Sequence, residues 1–179
     1  MNGTDNKVLA TKMIYAGRII NLRLDTLELP DGGEATREIV EHPGAVAVVA
    51  INPKGEVVLV RQYRHAAGET LLEIPAGLLE PGENQSECAL RELREETGYQ
   101  AANIRKLFSC YTTPGFSNEM IHIYLATDLT MFQQDLDPDE DIEILELPLT
   151  DAITLIEKGE ITDTKTIAAL CNVKLTINS

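Results

Sequence analysis

Apolar and polar residues alternate in short runs over residues 7–42, a period of two that predicts half-buried strands. The clearest run is IINLRLDTLEL, residues 19–29. Pro30, Asp31, Gly32 and Gly33 then form a turn signal, and TREIVE, residues 36–41, can pair back as the second arm of a hairpin. So short a segment has little core of its own and should lean on a neighbour or on a second subunit. After Pro43 and Gly44 the pattern changes. AVAVVAI, residues 45–51, is a continuous apolar run, as in a buried strand. Asn52, Pro53, Lys54 and Gly55 turn the chain into a second strand, EVVLVRQY, residues 56–63. Extended runs follow at 70–75, 106–111, 120–128 and 142–147, and helical patterns at 84–97, 151–158 and 164–175. Strands interleaved with helices indicate an α/β or α+β sandwich. The expected organisation is a small N-terminal antiparallel sheet, residues 1–43, followed by a main domain, residues 44–179.

Composition narrows the partners. The net charge of −14 lacks the basic footprint that nucleic-acid phosphates require, so a phosphorylated ligand would need divalent cations to carry the positive charge. Aromatic residues make up 4% of the chain and Trp is absent, leaving five Tyr, three Phe or an Arg plane for any base stacking. Cys88, Cys110 and Cys171 are odd in number and show no CxxC spacing, which suggests neither a disulfide framework nor a zinc site. No signal-peptide apolar region precedes residue 12, and the run at 45–51 is far too short to span a bilayer. A cytoplasmic protein with no membrane partner is expected.

The chemistry concentrates in GLLEPGENQSECALRELREETGY, residues 77–99. Asn84 or Ser86 can cap the helix, and Gly98 suits its left-handed C-terminal position. At 100° per residue, Ser86, Ala89, Leu90, Leu93 and Thr97 share the face expected to pack on the sheet. Glu92 and Glu96 lie one turn apart on a neighbouring face, with Glu95 beside Glu92. Like charges at this spacing destabilise a helix, and here they also crowd the negative end of its dipole. A hard divalent cation reverses that balance. The competing reading is a solvated acidic face with Arg91 and Arg94 making surface pairs.

The whole pattern decides between them. Gly77, Glu83, Arg91-Glu92-Leu93, Glu95-Glu96 and Gly98-Tyr99, at their spacings of five, seven, one and one intervening residues, resemble the Nudix box at every specified position. The resemblance implies a Nudix-type α/β/α sandwich with a mixed sheet. It also implies Mg²⁺-dependent hydrolysis (Mn²⁺ as substitute) of a nucleoside diphosphate linked to another moiety. Two or three ions would be held by Glu92, Glu95, Glu96 and the Ala76 carbonyl. Arg91 would hold a glutamate in place, Glu83 would support, and Gly77 and Gly98 would let the chain turn sharply.

Pro114, 16 residues beyond Gly98 within YTTPGFSNEMIHIYLA, resembles the ADP-ribose pyrophosphatase branch, as do REIVEHPGAV, QYR and LLEIPAG. That branch implies a homodimer whose N-terminal sheet helps build the partner's active site. Arg37, Glu38, Arg64, Leu78, Thr113 and Glu119 would then line the ADP-ribose site, with Arg18 and Ile19 as weaker candidates. In related enzymes a glutamate from the acidic loop before the last strand, here LDPDEDIEI, reaches the metals or acts as general base. Glu140 matches best, with Asp139, Asp141 and Glu143 as rivals. The expected reaction releases AMP and ribose 5-phosphate. The alternatives are another nucleoside diphosphate sugar such as GDP-mannose, or a non-catalytic ADP-ribose sensor. His42, His65 and His122 are scattered and form no pair with a serine.

Overall fold

The computed structural model describes residues 7–136 and 141–177. The chain divides into two compact units, one built from the Met1–Gly44 stretch with Tyr111–Met120, the other from Ala45–Cys110 and Ile121–Ser179.

In the first unit, β1 (Val8–Ala16), β2 (Asn21–Glu28) and β3 (Glu34–Glu41) form an antiparallel sheet in that order. The predicted hairpin is β2–β3, closing with Glu28 opposite Glu34. In its turn, Leu29 N donates to Gly33 O, Gly32 N donates to Leu29 O, and Asp31 Oδ1 accepts from Gly33 N. All nine residues of β1 are exposed, among them Val8, Leu9, Met13, Ile14 and Tyr15. The segment around Pro114 groups with these strands through backbone bonds. Val40 N donates to Phe116 O at 2.8 Å, and Asn118 N donates to Val40 O at 3.2 Å.

The second unit holds a seven-stranded mixed sheet. Its main path runs β10 (Ile142–Pro148), β5 (Glu56–Arg64), β4 (Ala45–Ile51), β9 (Met120–Met131), β8 (Tyr99–Tyr111). Two short strands flank it: β6 (Glu69–Glu73) pairs with β5, and β7 (Ala76–Leu78) pairs with β4. The β4–β9 pair is parallel, and β4–β5 is antiparallel. Because β4 is central, its alternate residues feed two cores. Val46, Val48 and Ala50 pack with Cys88, Ala89 and Leu93 of α1 (Gln85–Thr97). Ala45, Ala47 and Val49 pack with Ala152 and Ile153 of α2 (Leu149–Glu157) and with Ala169, Leu170 and Val173 of α3 (Thr164–Ile177). The result is the expected sandwich.

Three expectations need correction. The strand read at 106–111 begins at Tyr99, because the weakly patterned stretch Ala101-Ala102-Asn103 is held by its pairing with β9. Strand β7 was not expected, being three residues long and set only by antiparallel pairing to β4. The buried stripe of α1 is Cys88, Ala89, Leu93, Glu96 and Thr97, whereas Ser86 and Leu90 are half-buried. The apolar pattern missed Glu96 because a carboxylate is not counted among core residues, yet here its acceptor is satisfied inside the fold.

Candidate active site

Helix α1 is built to present its acids. Asn84 caps it by accepting from Ser86 N at 2.9 Å, and Gly98 ends it at φ 72° while donating to Arg94 O. Gly98 has a second reason to lack a side chain: a Cβ there would lie 2.7 Å from Phe132 O. The segment leading toward the acidic loop lies across this helix end. Phe132 N donates to Gly98 O, Asp135 N to Glu95 O at 3.0 Å, and the Gln134 side-chain amide to Glu96 O at 2.5 Å. These bonds satisfy carbonyls that a helix end leaves without partners.

Arg91 is the hub of the acidic face. Its Nε and Nη2 donate to Glu83 at 2.9 and 3.1 Å, and its Nη1 donates to Glu92 at 2.8 Å and Glu95 at 2.9 Å. The first of these interactions holds the Glu83 pKa down to about 2, and the guanidinium is correspondingly raised above its ordinary value. Nη2 also reaches the Leu78 carbonyl and Cys88 Sγ. Burial and Glu83 push the Cys88 thiol up to about 12, so it is a packed thiol and no nucleophile. Glu96, 2% exposed, accepts from Ala76 N at 3.0 Å. Three carboxylates thus surround one guanidinium, and a fourth is held by a backbone amide.

Gly77 serves this cluster by its bareness. A Cβ there would fall 1.9 Å from Glu92 Cδ, so the Glu92 carboxylate occupies the space that a side chain would take. Its φ is outside the left-handed region, which corrects the expectation that it is needed for a sharp turn. Among the described residues no three His, Cys, Asp or Glu side chains stand grouped so as to hold a metal ion as they are. Glu92 and Glu95 are drawn onto Arg91, while Glu96 is drawn onto Ala76. The donor set nonetheless fits a hard divalent cation: carboxylate oxygens in excess over the local positive charge, with a bare backbone brought against one of them.

The other expected residues fall in both units. In the first, Arg18 and Ile19 are exposed in the β1–β2 connection. Arg37 and Glu38 are exposed on β3, opposite Asp25 and Leu24, and Arg37 donates to Thr36 O. Thr113 O accepts from Phe116 N and Ser117 N in the turn holding Pro114. Glu119 accepts from Thr112 Oγ1 at 2.6 Å and lies 3.5 Å from His42 Nε2. In the second unit, Leu78 is exposed in β7. Asp141 is exposed, and Glu143, on β10, pairs with Arg61 at 3.6 Å. Asp139 and Glu140 lie outside the described residues. His122 sits on β9 against Ser109 and Gln85, and burial followed by the charge of Lys106 lowers its pKa.

Arg64 is half-buried and is gripped by Glu73, with Nε and Nη2 each donating at 2.8 Å to a different carboxylate oxygen. Sequence reasoning did not single out Glu73, Lys165 or Gln62. The signal for Glu73 was a lone acid in the apolar run LLEIP, which demands a buried partner. Gln62, on the same face of β5 as Arg64, has a buried Oε1 with no hydrogen-bond partner among the described residues.

This arrangement belongs to a recognisable class. The description of the NUDIX domain matches residues 41–170, and that of the nucleoside diphosphate sugar hydrolase N-terminal domain matches residues 7–40. The chain belongs to the Nudix family. An ADP-ribose pyrophosphatase of Bacillus subtilis (strain 168) is 43% identical over 177 residues, covering 98% of this chain and 96% of the relative. A methanol dehydrogenase activator of Bacillus methanolicus is 43% identical over 173 residues, covering 96% and 94%. A crystal structure of an ADP compounds hydrolase matches with a TM-score of 0.86 at 25% identity, covering 97% of this chain and 94% of that one.

Proposed function

We propose that the protein hydrolyses the pyrophosphate bond of ADP-ribose, adding water to release AMP and ribose 5-phosphate. The observation that carries the reaction type is the α1 acid cluster, with Glu83, Glu92 and Glu95 gathered on Arg91 and Glu96 buried against Ala76 N. The substrate reading is supported by near-full-length similarity to an ADP-ribose pyrophosphatase. Magnesium suits this donor set, with manganese as substitute. Glu92, Glu95, Glu96 and the Ala76 carbonyl would hold two or three ions, together with Glu140. When bound, the cations neutralise the pyrophosphate and make water a better nucleophile.

The chain's own residues divide the remaining work. Arg91 orients two of the carboxylates, and the Ala76 amide orients a third. Arg64 meets the pyrophosphate charge. Glu140 orients or deprotonates the attacking water. Leu78, Thr113, Glu119, Arg37, Glu38, Arg18 and Ile19 line the substrate. The exposed apolar residues of β1 support a homodimer assembled through the 1–43 sheet. Among the described residues no helix is long and apolar enough to cross a membrane, and we place the enzyme in the cytoplasm.

The test is AMP release from ADP-ribose with and without Mg²⁺, beside GDP-mannose, ADP-glucose and diadenosine polyphosphates, for the wild type and Glu96→Gln. Metal-dependent release confined to ADP-ribose is expected, with Glu96→Gln folded and slower by several orders of magnitude. Preference for GDP-mannose would overturn the substrate. Binding of ADP-ribose without turnover would make the protein a sensor. Full activity of Glu96→Gln would remove the acid cluster from the chemistry.

A further inference from the structure

Glu73 is 1% exposed at the end of β6, and two cationic groups, Arg64 and Lys165, converge on it. Arg64 uses its Nε–Nη2 edge, one donor to each carboxylate oxygen. Lys165, in the first turn of α3, donates to the oxygen that takes Nη2, and is itself 3.0 Å from Asp163. Asp163 in turn caps the start of α3, accepting from Thr166 N at 3.0 Å and Thr166 Oγ1 at 2.5 Å, and Thr166 Oγ1 accepts from Ile74 N at 2.9 Å. The helix start is therefore fastened twice to residues 73–74, immediately before Ala76 and Gly77 of the acid cluster.

A carboxylate without these partners would be costly at this depth. Burial pushes the Glu73 carboxyl up, but the Arg64 hydrogen bond and the Lys165 charge outweigh it and hold it below the usual range. The Arg64 cation is stabilised first by Glu73, and also by the charge of Glu96. A guanidinium has five N–H donors in a rigid fork, and the grip on Nε and Nη2 leaves the Nη1–Nη2 edge for a second anion.

We propose that Glu73 and Lys165 are positioning residues that aim the Nη1–Nη2 edge of Arg64 at the pyrophosphate of the substrate. The proposal rests on the assignment of Arg64 to the pyrophosphate made above. Lys165 fixes the Glu73 carboxylate, Glu73 fixes the guanidinium plane, and Arg64 arrives with its geometry already set. Preorganisation of this kind acts on the rate, since a misplaced charge near 1 Å can cost about a hundred-fold.

The test is a double-mutant cycle on kcat/KM, run on whichever nucleoside diphosphate sugar the wild type hydrolyses, with thermal unfolding recorded in parallel. Arg64→Met should lower kcat/KM by about a hundred-fold. Lys165→Met should lower it about ten-fold in the wild type but less than about two-fold on the Arg64→Met background, because its effect passes through Arg64. Lys165→Arg, which can still donate to Glu73, should recover most of the activity. Glu73→Gln, keeping shape and one acceptor, is the second probe should Lys165→Met fail to fold, and it should show the same dependence on Arg64. Equal losses on both backgrounds would show a general structural role and overturn the proposal. An unaffected Arg64→Met would overturn both the proposal and the role of Arg64, while hydrolysis of a different sugar nucleotide would overturn only the substrate assignment.

Discussion

Replacing Gly77 by Ala separates catalysis from stability. The added Cβ would meet the Glu92 carboxyl carbon at 1.9 Å and its two oxygens at 2.0 and 2.2 Å. Ordinary contact begins at 3.4 Å, so the carboxyl carbon must retreat by about 1.5 Å. The backbone cannot yield instead, because Gly77 pairs with Val46 in a strand that is fully buried there. The moving group is the far end of a flexible side chain, and an off-rotamer shift costs about 0.5–1.5 kcal/mol. The loss of glycine freedom in the unfolded chain returns about 0.4–1 kcal/mol, since this φ does not require glycine. Stability should therefore change by less than about 1 kcal/mol. A carboxylate displaced this far should cost about a hundred-fold in rate, about 2.7 kcal/mol of barrier. The assay is kcat for AMP release across a Mg²⁺ titration, with Tm measured on the same samples. The expected result is a slow enzyme of near-normal Tm that requires more Mg²⁺ for half-activation. Wild-type kcat at the wild-type Mg²⁺ requirement would refute the claim that Glu92 must occupy that space. A large fall in Tm would show that the backbone, not the carboxylate, had given way.

Three further outcomes follow from the same geometry. Gly98→Ala introduces strain at φ 72° and a contact of 2.7 Å with Phe132 O, and should destabilise by about 1–3 kcal/mol in urea titration; an unchanged midpoint would contradict it. Arg91 holds the folded-state pKa of Glu83 at about 2 against an ordinary 4.5, so this stabilisation is complete above pH 4.5 and is lost as the pH falls through 2. The stability gap between wild type and Arg91→Met should therefore be widest above pH 4.5 and narrow toward pH 2, and a gap independent of pH would remove Glu83 from the pair. Ile14→Lys places a charge on the exposed β1 strand and should convert a dimer to a monomer in sedimentation velocity, whereas a wild type already monomeric at micromolar concentration would dispose of the dimer.

Strands and helices whose periodicity reflected burial were legible in the sequence. Residues 45–51 became β4 with the same bounds because a strand between two cores must be apolar on both faces. The 2–3 hairpin was legible because its turn carries Asp31 and Gly32 where Asp hydrogen-bonds forward and glycine takes φ 82°. Strand β7 was not, since three residues carry no period and its existence depends on β4 beside it. Nor could a linear reading attach residues 111–120 to the N-terminal strands, because that association is made by backbone bonds from Val40, which any sequence can form.

For the site, the sequence located the acids and, through the resemblance, Arg91 as the holder of one of them, but not the remaining contacts that fix them. Glu95 was legible as a neighbour of both Glu92 and Arg91 on a helix because i, i+3 and i, i+4 spacing brings side chains together. That Arg91 would also bridge to Glu83, eight residues away, follows from the loop between Gly77 and Asn84 folding back over the helix, which no periodicity encodes. The helical wheel placed Glu96 with the acids and off the buried face, yet it is among the most buried side chains of α1, where the Ala76 amide donates to its carboxylate. The same reasoning applies to Glu73, a lone acid in LLEIP whose burial is offset by Arg64 and by Lys165 of α3, some ninety residues downstream. Buried charge is thus the part of this site least visible in local pattern and most dependent on long-range partners. Substitutions at Lys165 are accordingly the sharpest probe of whether those partners serve the fold alone or also the reaction.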